Sequence, residues 1–206
     1  MPIPVPFPKV CNIIEENGVK IKPALYSYIE KWNNYAAVFA DMYKKAHGIE
    51  LIPEKGGIEL CEDVSLLGGA YRIEADGKVC IYASDDEGIR YGLASALQLP
   101  YSDGTVAKLH IEDYADKDHR AFMVDLAREW HTFDKLLKYV DMCFVSKIKY
   151  FQLHFADTQR YTLPSTAYPG LPTANESYTY EEIEYLNKYA FDRGVVLIPE
   201  FEGRPC

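Results

Sequence analysis

The second half of the chain alternates strand and helix without a break. "FMVDLA" (122–127), "YFQLHFA" (150–156) and "VVLIPEFE" (195–202) are short runs rich in β-branched and aromatic residues. Between the first two lies "TFDKLLKYVDMCFVSK", which places Phe133, Leu136, Leu137, Val140 and Phe144 on one helical face. A long loop with Pro164, Pro169 and Pro172 follows the second run. Then comes "TYEEIEYLNKYAFDRG", opening with the capping-box pair Thr179 and Glu182 and closing on Gly194. Strands joined through helices run in the same direction, so this order predicts a parallel sheet. Chemistry in such sheets gathers at the carboxyl ends of the strands.

The first half has a different rhythm. "LYSYIEKWNNYAAVFADMYKKAHG" places Ile29, Trp32, Tyr35, Ala36, Phe39 and Met42 on one helical stripe, with Gly48 as its stop. "YRIEADGKVCIYA" alternates through Tyr71, Ile73 and Ala75, then Val79 and Ile81, around the turn signal Asp76-Gly77. "DEGIRYGLASALQLP" repeats apolar residues at Ile89, Leu93, Ala96 and Leu97. A helix, an antiparallel hairpin and a second helix predict a small α+β sandwich. The polar stretch "YSDGTVAKLHIEDYADKDH" holds one short strand, Val106 to Ile111, and sets a boundary near residue 115. The expected organisation is an α+β domain over 1–115 and an α/β domain over 116–206.

Composition narrows the function. The net charge is −9 and there is no basic cluster. Phosphate neutralisation drives nucleic-acid binding, so nucleic acid is not an expected partner, and an anionic membrane surface is disfavoured for the same reason. No run approaches the length of a membrane span. The opening "MPIPVPFPKV" lacks a continuous apolar stretch, so no signal peptide is read and the expected location is cytoplasmic. The five cysteines, Cys11, Cys61, Cys80, Cys143 and Cys206, have neither metal-knuckle nor redox-motif spacing and read as reduced thiols. No two histidines have ligand spacing, and no G-x-S-x-G, P-loop or G-x-G-x-x-G occurs, so neither metal nor cofactor is expected.

The predicted strand ends are polar. The first leads into Asp125 and Arg128, the second carries His154 and Asp157, the third carries Glu200 and Glu202, and Arg120 precedes the first. Carboxylates accept hydrogen bonds from paired hydroxyls and a guanidinium donates a planar fork, so such a rim suits a polyhydroxylated ligand. Each residue also has a structural reading. Asp125 and Arg128 can pair with each other, Glu200 can be a buried structural acid, and His154 a satisfied core histidine.

The whole chain resembles the family 20 glycoside hydrolases, the β-N-acetylhexosaminidases. "IPVPFPKV" and "GGAYRIEADGKVCIYASDDEGIRYGLASALQL" are similar to the family's small N-terminal α+β domain. "HRAFMVDLAREW" resembles its arginine, apolar run and D-x-x-R. "FQLHFADTQRY" is similar to its H-x-x-D-x-Q stretch, and "LIPEFE" to its P-E-x-[DE]. The resemblance implies an eightfold (β/α) TIM-type barrel, here partial. It implies substrate-assisted hydrolysis of N-acetylhexosaminides, in which the sugar's own 2-acetamido oxygen attacks the anomeric carbon. It assigns substrate binding to Arg120, His154, Asp157 and Glu202. The family's catalytic Asp-Glu pair ends a fourth strand, so no catalytic residue is assigned within these 206 residues. A full barrel takes about 250 residues, which leaves roughly five β/α units unaccounted for. Two departures from the pattern stand out: Thr158 follows Asp157 where the family has a second acid, and Cys206 falls where it has a histidine.

The expectation is therefore a truncated hexosaminidase-like chain, inactive alone, with N-acetylhexosamine-terminated carbohydrate as its ligand. The alternative is a non-catalytic carbohydrate-binding or oligomerising protein. Three parallel strands leave two open edges, and their sequences suggest apolar faces on both sides. A homo-oligomer burying Val195 and Leu197 is expected on that ground.

Overall fold

The computed structural model describes residues 3–201. The chain divides into two compact units, Met1–Lys117 with Val145–Lys147, and Asp118–Phe144 with Ile148–Cys206. No helix among the described residues is long and apolar enough to cross a membrane.

The first unit is built on six strands, β1 (Val10–Lys20), β2 (Leu25–Ser27), β3 (Ile58–Glu62), β4 (Tyr71–Ala75), β5 (Val79–Ala83) and β6 (Thr105–Asp113), in the order β1-β6-β4-β5-β3-β2. The hairpin read from Asp76-Gly77 is the antiparallel pair β4 and β5, with Gly77 at φ 70°. Helices α1 (Asn33–His47) and α2 (Asp86–Ala96) are the two read from periodicity. Gly48 ends α1 in the left-handed region, φ 69°, its N–H bonding Lys44 O at 2.8 Å. Asp85 caps α2 by accepting from Gly88 N at 2.7 Å.

Three features depart from the sequence reading. Leu25–Ser27 is not helical: it pairs parallel to β3, and Ser27 Oγ then bonds Ile29 N and O to turn the chain. Strand β1 escaped notice because most of it is exposed and its register slips twice around Glu15. Strand β3 was not read; its polar alternate, Glu59, is only 3% exposed and is satisfied by Lys78 Nζ at 2.8 Å and Gly56 N at 2.8 Å. The sheet is therefore mixed rather than purely antiparallel.

The second unit holds β7 (Ala121–Asp125), α3 (Phe133–Val145), β8 (Tyr150–Ala156), α4 (Tyr180–Asp192) and β9 (Val196–Phe201). The three strands are parallel in the order β7-β8-β9. The capping box closes as read: Glu182 N bonds Thr179 Oγ1 at 3.1 Å, and Thr179 N bonds the Glu182 carboxylate at 2.9 Å. Val124, Phe151, Leu153 and Phe155 form one core with Leu136, Val140 and Cys143 of α3 and Leu186 and Ala190 of α4.

Strand alternation sends the other residues to the opposite face, which is not the apolar surface expected there. It carries Met123 and Val196, about half exposed, but also Asp125, Gln152, His154 and Glu200. Gln152 Nε2 donates to Glu200 Oε2 across it at 2.6 Å. Val195 and Leu197, expected at an oligomer interface, belong instead to the helix-side core. The sequence run looked uniformly apolar because its few polar residues fall at alternate positions, all on one side.

The contact between α2 and its sheet is tight enough to test. A Cβ on Gly88 would lie 2.3 Å from Ala70 O, and one on Gly92 2.4 Å from Ile81 Cγ2. Helix propensity alone makes Gly→Ala favourable by about 1 kcal/mol, whereas overpacking costs about 1–3 kcal/mol. Gly88→Ala is expected to lower stability in urea melts. A gain in stability would show that α2 packs less closely than described.

Candidate functional site

Register builds the site. In β7 and β8, Asp125 pairs with His154; in β8 and β9, His154 pairs with Glu200. An acid, an imidazole and an acid thus form one transverse row on the face away from the helices. The row lies at the carboxyl ends of the strands, as parallel topology places functional groups.

Turns beyond the strands complete the cluster. Asp125 Oδ1 accepts from Ala127 N at 3.1 Å and Arg128 N at 2.9 Å, and its Oδ2 accepts from Arg128 Nη1 at 2.6 Å. The other guanidinium arm, Nη2, pairs with Asp157 Oδ2. The local Asp125–Arg128 pair is therefore present, but the arginine also bridges to the second strand's acid. Asp157 Oδ1 accepts from Thr158 N, which fixes its side chain at the turn.

His154 is 3% exposed and stands between two carboxylates. Its Nε2 lies 3.5 Å from Asp157 Oδ2 and its Nδ1 3.3 Å from Glu200 Oε1. Both separations exceed those of strong charge-assisted bonds, about 2.7–2.9 Å. Among the described residues, His154 Nε2 is a buried atom without a well-formed hydrogen bond, whereas Asp157 Oδ2, equally buried, is met by the Arg128 guanidinium. Nearly all buried polar atoms are paired, so such atoms mark a place for scrutiny.

Electrostatics keep Asp125 and Asp157 ionised. Burial works to raise the Asp125 carboxyl, but the backbone and side-chain bonds from Arg128 and its charge outweigh burial and hold it below the ordinary value. Asp157 is also held down, first by the hydrogen bond from Thr158 N, with Arg128 and His154 contributing further. The cluster is thus a set of anionic acceptors with one guanidinium, suited to accept hydrogen bonds from hydroxyl or amide donors.

Arg160 steadies this arrangement and was not singled out by sequence. Its carbonyl accepts from Asp157 N at 3.0 Å, and its Nη1 donates to Arg128 O at 2.9 Å, so it ties the two turns together. Its Nε pairs with Glu176 in the long loop. The turn bond to Asp157 is local, but the reach of its guanidinium to Arg128 O is set by tertiary packing and leaves no local signal.

The sequence candidates fare differently. His154 and Asp157 come together with Asp125, Arg128 and Glu200. The backbone of Arg120 lies at the opposite end of β7, where its carbonyl accepts from Lys149 N and Tyr150 N. Five residues of strand separate it from Asp125, about 16 Å at ~3.3 Å per residue. Glu202 lies outside the described residues. Among the described residues, no group of three or more His, Cys, Asp and Glu side chains is placed to hold a metal ion. A 440 Å³ cavity bounded by α4 and by Leu153, Phe155, Leu197 and Pro199 opens on the helix side of the sheet, away from the row.

Loss of the guanidinium gives a direct check. A carboxylate whose pKa is depressed on folding contributes stability above its unfolded value and loses it as pH falls through the folded value. Arg128→Met should raise the titrations of Asp125 and Asp157 part of the way toward 3.8, the backbone bonds remaining. It should also shrink the stability lost on acidification below about pH 4. Carboxyl ¹³C NMR titrations that do not move would contradict the described bridge.

Comparison with known proteins places both units. The family model for glycosyl hydrolase family 20, domain 2, matches residues 10–114, and that for the family 20 catalytic domain matches residues 118–204. The chain is 29% identical over 127 residues to a chitooligosaccharidolytic beta-N-acetylglucosaminidase of Bombyx mori, covering 56% of this chain and 21% of that protein. It is 26% identical over 155 residues to a beta-hexosaminidase of Porphyromonas gingivalis, covering 64% of this chain and 20% of that protein. Its fold matches a family 20 exo beta-N-acetylglucosaminidase of Vibrio harveyi, solved in complex with N-acetylglucosamine, with TM-score 0.86 and 20% identity. That match covers 98% of this chain and 37% of the Vibrio chain. The chain thus spans about a fifth of the length of the two curated relatives.

Proposed function

Because the chain belongs to glycosyl hydrolase family 20, through both its domain 2 and its catalytic domain, we propose that it supplies the N-terminal domain and the first three β/α units of a β-N-acetylhexosaminidase-like enzyme. In this reading β7, β8 and β9 open an eightfold barrel, and the polar face of the sheet lines its interior. The observation that carries the reading is the row Asp125–His154–Glu200, with Asp157 beside it, at the carboxyl ends of three parallel strands. Barrel enzymes of this class place their chemistry there.

The residues divide the work by their chemistry. Asp157, ionised and fixed by Thr158 N, accepts from donors of a bound N-acetylhexosamine or from groups that face it. His154 transmits between Asp157 and Glu200. Arg120 donates to hydroxyls of the terminal sugar, as the family resemblance implies, and Glu202 lines the same pocket. The family's reaction uses the substrate's acetamido oxygen as nucleophile. Its acid and its acetamido-orienting aspartate belong to a fourth unit, outside these 206 residues. The chain alone is therefore inactive, since positioned acid–base groups contribute about 10²–10⁴-fold in rate.

A second reading rests on one observation. Among the described residues, β7 and β9 are the outer members of their sheet and each pairs with β8 alone. Open edges of this kind pair with other chains, and Met123 and Val196 offer exposed apolar surface beside them. Self-association through this sheet is the alternative to the first reading, in which further barrel strands pair the same edges.

Two assays check the proposal. A chromogenic N-acetylglucosaminide should give no turnover above background with the chain alone. Turnover abolished by Asp157→Asn would instead locate the catalytic acids within the chain. Calorimetric titration with N-acetylglucosamine should show weak binding that Arg120→Ala reduces more than Tyr168→Ala, a substitution at an exposed loop residue. Binding insensitive to Arg120→Ala would remove that residue from the sugar site.

A further inference from the structure

Helices α1 and α4 are each followed by a glycine in the left-handed region, Gly48 at φ 69° and Gly194 at φ 68°. After α4 the next N–H reaches back along the helix, Val195 N to Ala190 O at 2.9 Å. Helix α3 closes by the same bond, Ile148 N to Cys143 O at 2.8 Å, but the left-handed residue is Lys147, φ 57°. A Cβ crowds the backbone in this conformation, which is why glycine dominates the position. A lysine there is kept for what its side chain does.

That side chain is buried in the first unit, to which Val145–Lys147 belongs although the chain on either side belongs to the second. Lys147 is 6% exposed. Its ammonium donates to Asp113 Oδ2 at 2.8 Å and to the Tyr71 hydroxyl oxygen at 2.7 Å. Tyr71 and Asp113 are cross-strand partners of β4 and β6, and the tyrosine donates to Asp113 Oδ2 at 3.0 Å. The tyrosine oxygen also lies 2.6 Å from Ser95 Oγ on α2. Asp113 Oδ1 accepts from Lys9 N at 3.3 Å. Burial pushes the Tyr71 hydroxyl well above its ordinary value and the Asp113 charge adds to this, so it keeps its proton and stays a donor. Without the lysine, a carboxylate in the interior would face only a hydroxyl and a backbone amide. A buried charge that loses its counter-charge is strongly destabilising, whereas the intact pair is tolerated. The pocket of Tyr71, Ser95 and Asp113 is therefore built around a cation, and that cation comes from 34 residues further along the chain.

We propose that the turn after α3 is a built-in part of the first unit's core, and that Lys147 occupies a glycine position because its ammonium neutralises the buried Asp113. Residues 1–115 are then not an autonomous domain. Strands β4 and β6 reach their full stability only when the turn at 145–147 is seated among them, and the unit cannot be cut or exchanged near residue 115 without losing a piece of its own interior. The two roles of Lys147 oppose each other: its backbone favours replacement by glycine, and its ammonium forbids it. That opposition fixes the sign of the test.

The test uses full-length variants and hydrogen exchange read by mass spectrometry. In K147G the peptides covering β4 and β6 should exchange about a hundredfold faster than in the wild type. Exchange that is unchanged or slower, as a helix end relieved by glycine would give, overturns the proposal. K147M should speed the same peptides, and D113N/K147M, which removes both charges, should return them toward the wild-type rate. A double variant as fast as K147M or faster would show that the two side chains do not act as a pair. If the variants fail to fold, the wild-type chain decides. Under limiting amine acetylation Lys147 should stay unmodified while Lys44, whose side chain is 59% exposed, reacts. Modification of Lys147 at the rate of Lys44 would overturn the proposal.

Discussion

The parallel pairing of β7, β8 and β9 is the constraint on which the candidate site depends. Asp125, His154 and Glu200 are far apart in sequence and become neighbours only through backbone hydrogen bonds in one register. A slip of one residue would turn the acids and the imidazole into the helix-side core and bring apolar residues to the rim. What prevents that slip is the other face. Val124, Phe151, Leu153 and Phe155 pack against α3 and α4, and burying a side chain of this size is worth about 1.5–3 kcal/mol. The apolar core thus fixes the chemistry by fixing the register.

Charge balance then shapes what the row can do. A neutral imidazole donates from one nitrogen only. His154 has a carboxylate near each nitrogen, at 3.3 and 3.5 Å, so one of these contacts lacks a donor unless the ring is protonated. The two arms of Arg128 neutralise Asp125 and Asp157, and Gln152 donates to Glu200. Anionic acceptors are thereby gathered at the strand ends without being fully consumed by one another. Such a rim suits hydroxyl and amide N–H donors, which is what the proposed reading requires of it.

Much of this was legible in sequence, for physical reasons. The β-α-β-α-β order could be read because each segment carries one clean period, and α4 announces its start with Thr179 and Glu182. The hairpin at Asp76-Gly77 could be read because a left-handed turn needs such residues. Strand β3 could not, because it is only five residues long and the adjacent Leu60 and Cys61 break the alternation begun by Ile58-Glu59-Leu60. Nor could the start of α1, where Leu25–Ser27 gives up helix for pairing with β3. His154 and Asp157 were found as residues, but the row itself was not, since register is a property of pairing and not of any one segment. Arg160 was missed for the same reason: its role comes from carbonyls that the fold brings to it. The resemblance to family 20 named Arg120 as a sugar ligand, and its backbone starts β7 rather than ending it, so its part in the site rests on the reach of its side chain.

The most direct measurement of the central claim is NMR of the labelled chain during titration with N-acetylglucosamine. The account predicts that the sugar shifts the His154 ring and Asp157 carboxyl signals while His110, on the sheet of the first unit, stays where it is. Shifts confined to the first unit, or His154 and Asp157 signals unmoved at saturating sugar, would contradict it.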